Sequence, residues 1–268
     1  MGVHQHRIEL DGAPVFYSSA AAGEVPPLYL HDAPTSSDDF APLLARTGGI
    51  APDLPGFGRS VKAGHLDYTL DSQATFVERL LGELELDRVA LVAHGWGAGA
   101  GLVFAQRRPE RIERIVLIDA LPLLPGFEWG RLGRALRRPL VGEAVMGCTV
   151  RSIFYRHLRR GAVDPAVWTP ERLARAWEQF DQGTQRAVLR QIRDMDPDRL
   201  ERAGAGIGEL DAPALIVWGE RDPWLPVSLA ERYANRLPGA QLRIAPGAGH
   251  WPWLEEPALV EAIADFLE

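Results

Sequence analysis

The chain has 268 residues, 46% hydrophobic and 24% charged, the make-up of a large globular unit and not of a disordered or collagen-like chain. Its net charge of −7 argues against a general nucleic-acid binder, which is usually basic. No apolar run approaches the roughly 18 residues of a membrane span. The opening MGVHQHRIEL has no apolar stretch of the signal-peptide type, and a lone Cys148 can form no internal disulfide. A cytoplasmic protein, monomer or homodimer, is expected. Lys62 is the only lysine among the basic residues, a bias that fits a GC-rich genome better than a need for guanidinium chemistry.

Taken in chain order, Arg7–Leu10 and Val15–Tyr17 flank the turn dipeptide Asp11-Gly12 and predict an opening hairpin. Leu28–His31 and Gly49–Asp53 read as short buried strands, each entering a polar or turn-rich loop. From Thr69 to Leu86 apolar residues recur at helical spacing: Leu70, Ala74, Val77, Leu81 and Leu84. Val89–Ala93 and Ile115–Ile118 are near-continuous apolar runs of the kind buried on both faces of a parallel sheet. A small-residue turn and a helix over Gly99–Arg108 lie between them. The strand–helix alternation then stops. Residues 121–208 show Arg-rich helical stretches broken at Pro125, Pro139, Pro165 and Pro170. It resumes at Ala214–Trp218, with a helix near Val227–Arg236, a strand Gln241–Ala245 and a last helix Pro257–Leu267. This order predicts an α/β fold, a doubly wound and mostly parallel sheet. Residues 1–120 and 209–268 form its core domain, and 121–208 form a helical lid over the strand ends where such sheets bind ligands.

Four segments meet at that end: His31–Pro34, Asp53–Ser60, Ala93–Gly97, and the late pair Asp222 and His250. The third is a strand, a sharp turn and a helix, with small residues two positions either side of Gly95, as a nucleophile elbow requires. Here the chain resembles the α/β-hydrolase fold family, in its epoxide hydrolase and haloalkane dehalogenase branch. His31-x-x-Pro34 resembles the oxyanion loop, His94-Gly95-Trp96-Gly97 the nucleophile turn, Gly219–Trp224 the acid loop and Gly247–Pro252 the histidine loop. The resemblance implies His250 as general base and Asp222 as its orienting acid. It also implies the amides of Trp96 and Ala33 as oxyanion hole, and a cis Ala33–Pro34 bond.

The departures are as informative. That branch attacks with an aspartate at the elbow apex, and esterases with serine; Gly95 has no side chain, so the nucleophile position is vacant. Position 32, glycine in the usual pattern, is Asp32, which reads as a turn cap or as a displaced carboxylate standing in for the one missing at 95. Asp119, at a strand end, is the reserve acid for His250. Ala33 stands where dehalogenases help hold the halide, and Tyr155 is the only tyrosine in the insertion, where epoxide hydrolases usually use a pair. His31, Trp96, Trp129, Phe154, Tyr155, Trp177 and Trp251 are candidates to line an apolar pocket. His31, His94 and His250 match no recognised ligand spacing, so neither metal nor cofactor is expected.

The sequence thus points to a hydrolase of a small to medium apolar substrate. In the leading reading His250 and Asp222 activate a water above Gly95, with no covalent intermediate at that residue. Two alternatives stand beside it: a non-catalytic ligand-binding pseudo-hydrolase, and an aspartyl-nucleophile enzyme whose nucleophile is replaced by Gly95. The Arg-rich run of the lid reads as a solvated face, or as a surface that recruits an anionic substrate or membrane.

Overall fold

A computed structural model describes residues 2–268. Its eight strands are β1 (His4–Leu10), β2 (Ala13–Ala20), β3 (Pro27–Leu30), β4 (Gly49–Pro52), β5 (Val89–His94), β6 (Ile112–Ala120), β7 (Ala214–Gly219) and β8 (Gln241–Ala245). They form one sheet in the order β1-β2-β4-β3-β5-β6-β7-β8. The β1–β2 and β2–β4 pairs are antiparallel and the rest parallel. Asp11 and Gly12 join β1 to β2 with φ of 52° and 74°, the two positive values that a tight hairpin turn demands.

Every residue of β5 and β7 is buried, as expected of central parallel strands covered on both faces. Truncating Leu91, which is fully buried, to alanine would cost about 2–5 kcal/mol. The core helices are α1 (Ala41–Thr47), α2 (Leu70–Glu83) and α3 (Gly95–Arg107). Thr69 caps α2 by accepting from the Ser72 amide, and Leu70, Ala74, Val77 and Leu81 form its buried stripe.

The helix after β5 begins at Gly95, not at Gly99. Sequence propensity reads Gly95–Gly99 as a turn, but tertiary packing overrides it. A Cβ on Gly97 would lie 2.3 Å from the Leu30 carbonyl oxygen, so glycine lets the first turn of α3 press directly onto the end of β3.

Between β6 and β7 the described residues form six α-helices, two short 3-10 turns and no strand, the α-helices being α4 (Arg131–Arg137), α5 (Val141–Gly147), α6 (Arg151–Arg160), α7 (Pro170–Gln179), α8 (Gln182–Asp194) and α9 (Pro197–Ala203). They are tied to the loops at the carboxyl ends of the strands. Thr184 Oγ1 donates to the Gly56 carbonyl at 3.0 Å, and the His250 amide donates to the Gly161 carbonyl at 2.7 Å. Three helices complete the chain: α10 (Ser228–Arg236), α11 (Pro252–Glu255) and α12 (Pro257–Leu267). No described helix is long and apolar enough to cross a membrane.

Candidate active site

The loop after β3 is clamped through its backbone. His31 Nε2 accepts the Leu54 amide at 2.9 Å, so the ring proton sits on Nδ1, which donates to the Asp32 carbonyl at 2.8 Å. Thr35 Oγ1 donates to the same carbonyl at 3.1 Å. Burial holds the His31 pKa below its ordinary value, keeping this neutral tautomer in place. The Ala33–Pro34 bond is cis. Asp53, beneath this loop, accepts from the Ser37 amide and hydroxyl at 2.9 and 2.6 Å and from Arg59 Nε at 2.9 Å. The result is a fixed platform from which the Asp32 side chain points at the elbow.

At the elbow Gly95 has φ of +50°. A Cβ built there would stand 2.0 Å from Asp32 Oδ1 and 2.2 Å from its Cγ. Asp32 Oδ1 accepts the Trp96 amide at 2.7 Å, and Oδ2 lies 3.0 Å from His250 Nε2. His250 Nδ1 faces Asp222 Oδ2 at 2.6 Å. Asp222 Oδ1 in turn accepts the amides of Trp224 and Leu225 at 2.7 and 3.1 Å. Residues 32, 250 and 222 thus form one line, carboxylate–imidazole–carboxylate.

Electrostatics follow from that line. Burial works to lower the His250 pKa, but the charge of Asp222 and the bonds to Asp222 and Asp32 outweigh it and hold the imidazole well above its usual value. Burial would raise both carboxylates; the hydrogen bond and charge of His250 keep Asp32 and Asp222 below theirs. These shifts favour an ion triple at neutral pH, with the proton on His250 between the two carboxylates. Asp119 behaves oppositely: burial and then the charge of Asp222 push its carboxyl well above the usual range, so it is neutral. It is the last but one residue of β6, at φ 39°, and accepts the Gly219 amide at 3.1 Å, and its carboxyl lies within 4.8 Å of the ligand atoms of Asp222 and His250.

His94 is fully buried beside His250, with ring centroids 4.5 Å apart. Its Nε2 donates to the His250 carbonyl at 2.8 Å, leaving Nδ1 without a partner. Burial and the His250 charge push its pKa down to about 3, so it steadies the histidine loop as a neutral ring. Two groups could present three ligand atoms to a cation, Asp32–His94–His250 and Asp119–Asp222–His250. Both draw on residues far apart in sequence, which ligand spacing could not reveal.

The aromatic candidates divide. Trp96 and Trp129 are half-buried, with rings 6.0 Å apart, and Trp96 meets the Asp32 carboxylate through its amide. Tyr155 and Trp177 are also half-buried. His31, Phe154 and Trp251 are instead committed to structure. His31 is clamped as described. Phe154 stacks on Phe180 with centroids 4.5 Å apart. Trp251 gives its indole N–H to Asp39 at 3.2 Å.

Two residues at the site escaped the sequence reading. The Trp224 ring meets the His250 ring edge-on at 4.8 Å, and His157 of α6 stacks on Trp224 at 4.8 Å. Burial, then the charge of His250, brings His157 down to about 4. Its signal was its place three residues after Phe154 and one before Leu158, the buried face of α6, hidden among arginines.

The strand order, the elbow and the Asp222–His250 pair define a hydrolase architecture, and residues 28–257 match the model of the alpha/beta hydrolase fold. The chain belongs to that family. It is 30% identical over 249 residues to an uncharacterized protein of Mycobacterium tuberculosis, spanning 85% of this chain and 70% of the relative. A 2-hydroxymuconate semialdehyde hydrolase of Pseudomonas sp. is 27% identical over 81% of this chain and 75% of its own. Among solved structures, haloalkane dehalogenase DbeA of Bradyrhizobium elkani superposes with a TM-score of 0.87 over 99% of this chain and 98% of that one, at 22% identity; this likeness shows the fold. The named relatives support the expected enzyme of the hydrolase class.

Proposed function

We propose that this protein is a hydrolase of small apolar molecules whose nucleophile is Asp32, delivered to the elbow from the neighbouring loop. The observation that carries the reading is that the Asp32 carboxylate fills the space a side chain at residue 95 would need, 2.0 Å from its ideal Cβ. The water-above-Gly95 reading lacks that room.

The chemistry is written for a carbon bearing a leaving group. Asp32 Oδ2 attacks the carbon, the bond to the leaving group breaks, and the protonated His250 gives its proton to the departing atom. An alkyl ester of Asp32 remains. Loss of the Asp32 charge removes one of the two supports of the imidazolium, so His250, still oriented by Asp222, is now a base. It takes a proton from water, hydroxide adds to Asp32 Cγ, and the negative charge develops on Oδ1, where the Trp96 amide already donates. Collapse breaks the bond from Cγ to the alkoxy oxygen. His250 gives its proton to the departing alkoxide, the proton of the new Asp32 carboxyl passes to the neutral imidazole, and the ion triple is restored.

Half-buried Trp96, Trp129, Tyr155 and Trp177 supply an apolar lining. Turnover on a panel of epoxides, haloalkanes and esters tests the reading. Wild-type protein should turn over at least one class, and Asp32→Asn should abolish it while leaving the fold intact. Asp32→Asn with unchanged turnover would return the role of attacker to water. A wild-type protein stabilised by ligands without turnover would support the pseudo-hydrolase.

A further inference from the structure

Residues 131–160 carry eight arginines against one acid, Glu143, in a chain of net charge −7. Glu143 is itself taken by Arg193 at 2.7 Å, so it neutralises none of them. All eight except Arg137 and its inward-turned guanidinium are exposed. Among the described residues none of these arginines makes an ion pair.

The same stretch holds five of the eight large exposed hydrophobic residues of the described chain: Leu132, Leu140, Val141, Val150 and Ile153. Leu140 is 82% exposed. It follows Pro139 at the turn into α5 with φ of +65°, a left-handed conformation that disfavours an L side chain. On α6 the outward positions are Arg151, Ser152, Ile153, Arg156, Arg159 and Arg160, while Phe154 and Leu158 are buried and His157 packs on Trp224 beside His250. One face of this helix looks to the catalytic line and the other presents guanidiniums around an aliphatic side chain.

The geometry points to α4–α6 as a docking surface for an anionic lipid bilayer. Lipid phosphates would pair the free guanidiniums while Leu140 and Val141 enter the acyl boundary. A second copy would set this cationic face against itself, and a nucleic acid would offer nothing to the aliphatic side chains. The surface stands independently of the Asp32 chemistry and would seat the lid next to a reservoir of apolar molecules.

The test is sedimentation of the full-length protein with phosphatidylcholine vesicles, with and without phosphatidylglycerol. Binding should require phosphatidylglycerol and weaken with salt. Arg138→Gln should lower the partition coefficient about fivefold, and Leu140→Asp about tenfold or more; both sites are exposed, and circular dichroism confirms the fold. Several results would overturn the proposal: no binding, equal binding to both vesicles, or variants that bind as tightly as wild type. So would a self-association, or an oligonucleotide complex, that Leu140→Asp abolishes while vesicles stay unbound.

Discussion

Asp32 and Gly95 occupy one place between them: the Asp32 Oδ1 lies 2.0 Å from where a Cβ on Gly95 would be. They lie at the ends of the parallel neighbours β3 and β5, so a carboxylate lost from one strand end can be supplied by the other. A reciprocal exchange follows. Gly95→Asp alone should be destabilised by about 1–3 kcal/mol through overpacking and inactive. The double variant Asp32→Gly/Gly95→Asp should recover stability and part of the turnover. Chemical denaturation and steady-state assays of the three variants check this, and a double variant no better than either single one would refute the exchange.

His250 and its two carboxylates make stability depend on pH in a defined sense. His250 has a folded pKa above its unfolded value, so its contribution is complete below about 6.5 and is lost as pH rises towards the raised folded pKa. Asp32 and Asp222 have lowered folded values. Their contributions are present above about 3.9 and are lost as pH falls through the folded values. Thermal unfolding midpoints should therefore be highest between about 4 and 6.5 and fall as pH rises from there into the alkaline range. In Asp32→Asn the alkaline fall should be smaller and end at lower pH, because one support of the imidazolium is gone.

Asp119 is neutral in the fold and serves Asp222 from behind. Asp119→Asn keeps an oxygen for the Gly219 amide and should retain most activity. Asp119→Ala strands that buried amide and should cost about 1–3 kcal/mol by urea unfolding. Equal stability of the two variants would show that the Gly219 contact contributes little.

At Gly97 even one methyl group is excluded by the Leu30 carbonyl oxygen, 2.3 Å away. Gly97→Ala should push α3 off β3, displace the Trp96 amide and lower turnover at least tenfold, because a donor shift of about 1 Å costs that much or more. A fully active Gly97→Ala would mean the elbow is looser than this packing implies.

Much of this was readable beforehand, and the reasons are specific. The Asp11-Gly12 turn, the β5 run and the α2 stripe are local patterns, and the structure has all three. Asp222 and His250 were legible as a pair because each follows a strand whose end is fixed by the sheet. The start of α3 was not, since the close approach of Gly97 to Leu30 is a tertiary contact that propensity cannot see. Asp32 carried two readings because no local rule says where a loop carboxylate points; in the fold its oxygens meet the Trp96 amide and His250 Nε2. His157 and Trp224 were missed because their pairing joins α6 to a loop after β7, 67 positions away by residue number. The neutral state of Asp119 comes from its burial and then from the charge of Asp222 beside it, both of which only the fold supplies.

The central claim is that the attacking atom belongs to Asp32, and single-turnover hydrolysis in ¹⁸O-labelled water tests it most directly. With enzyme in excess over an accepted substrate, the label should enter the carboxyl group of Asp32 and be found by mass spectrometry in the peptide that contains it. Label found in the first-turnover product, with none in that peptide, would contradict the account.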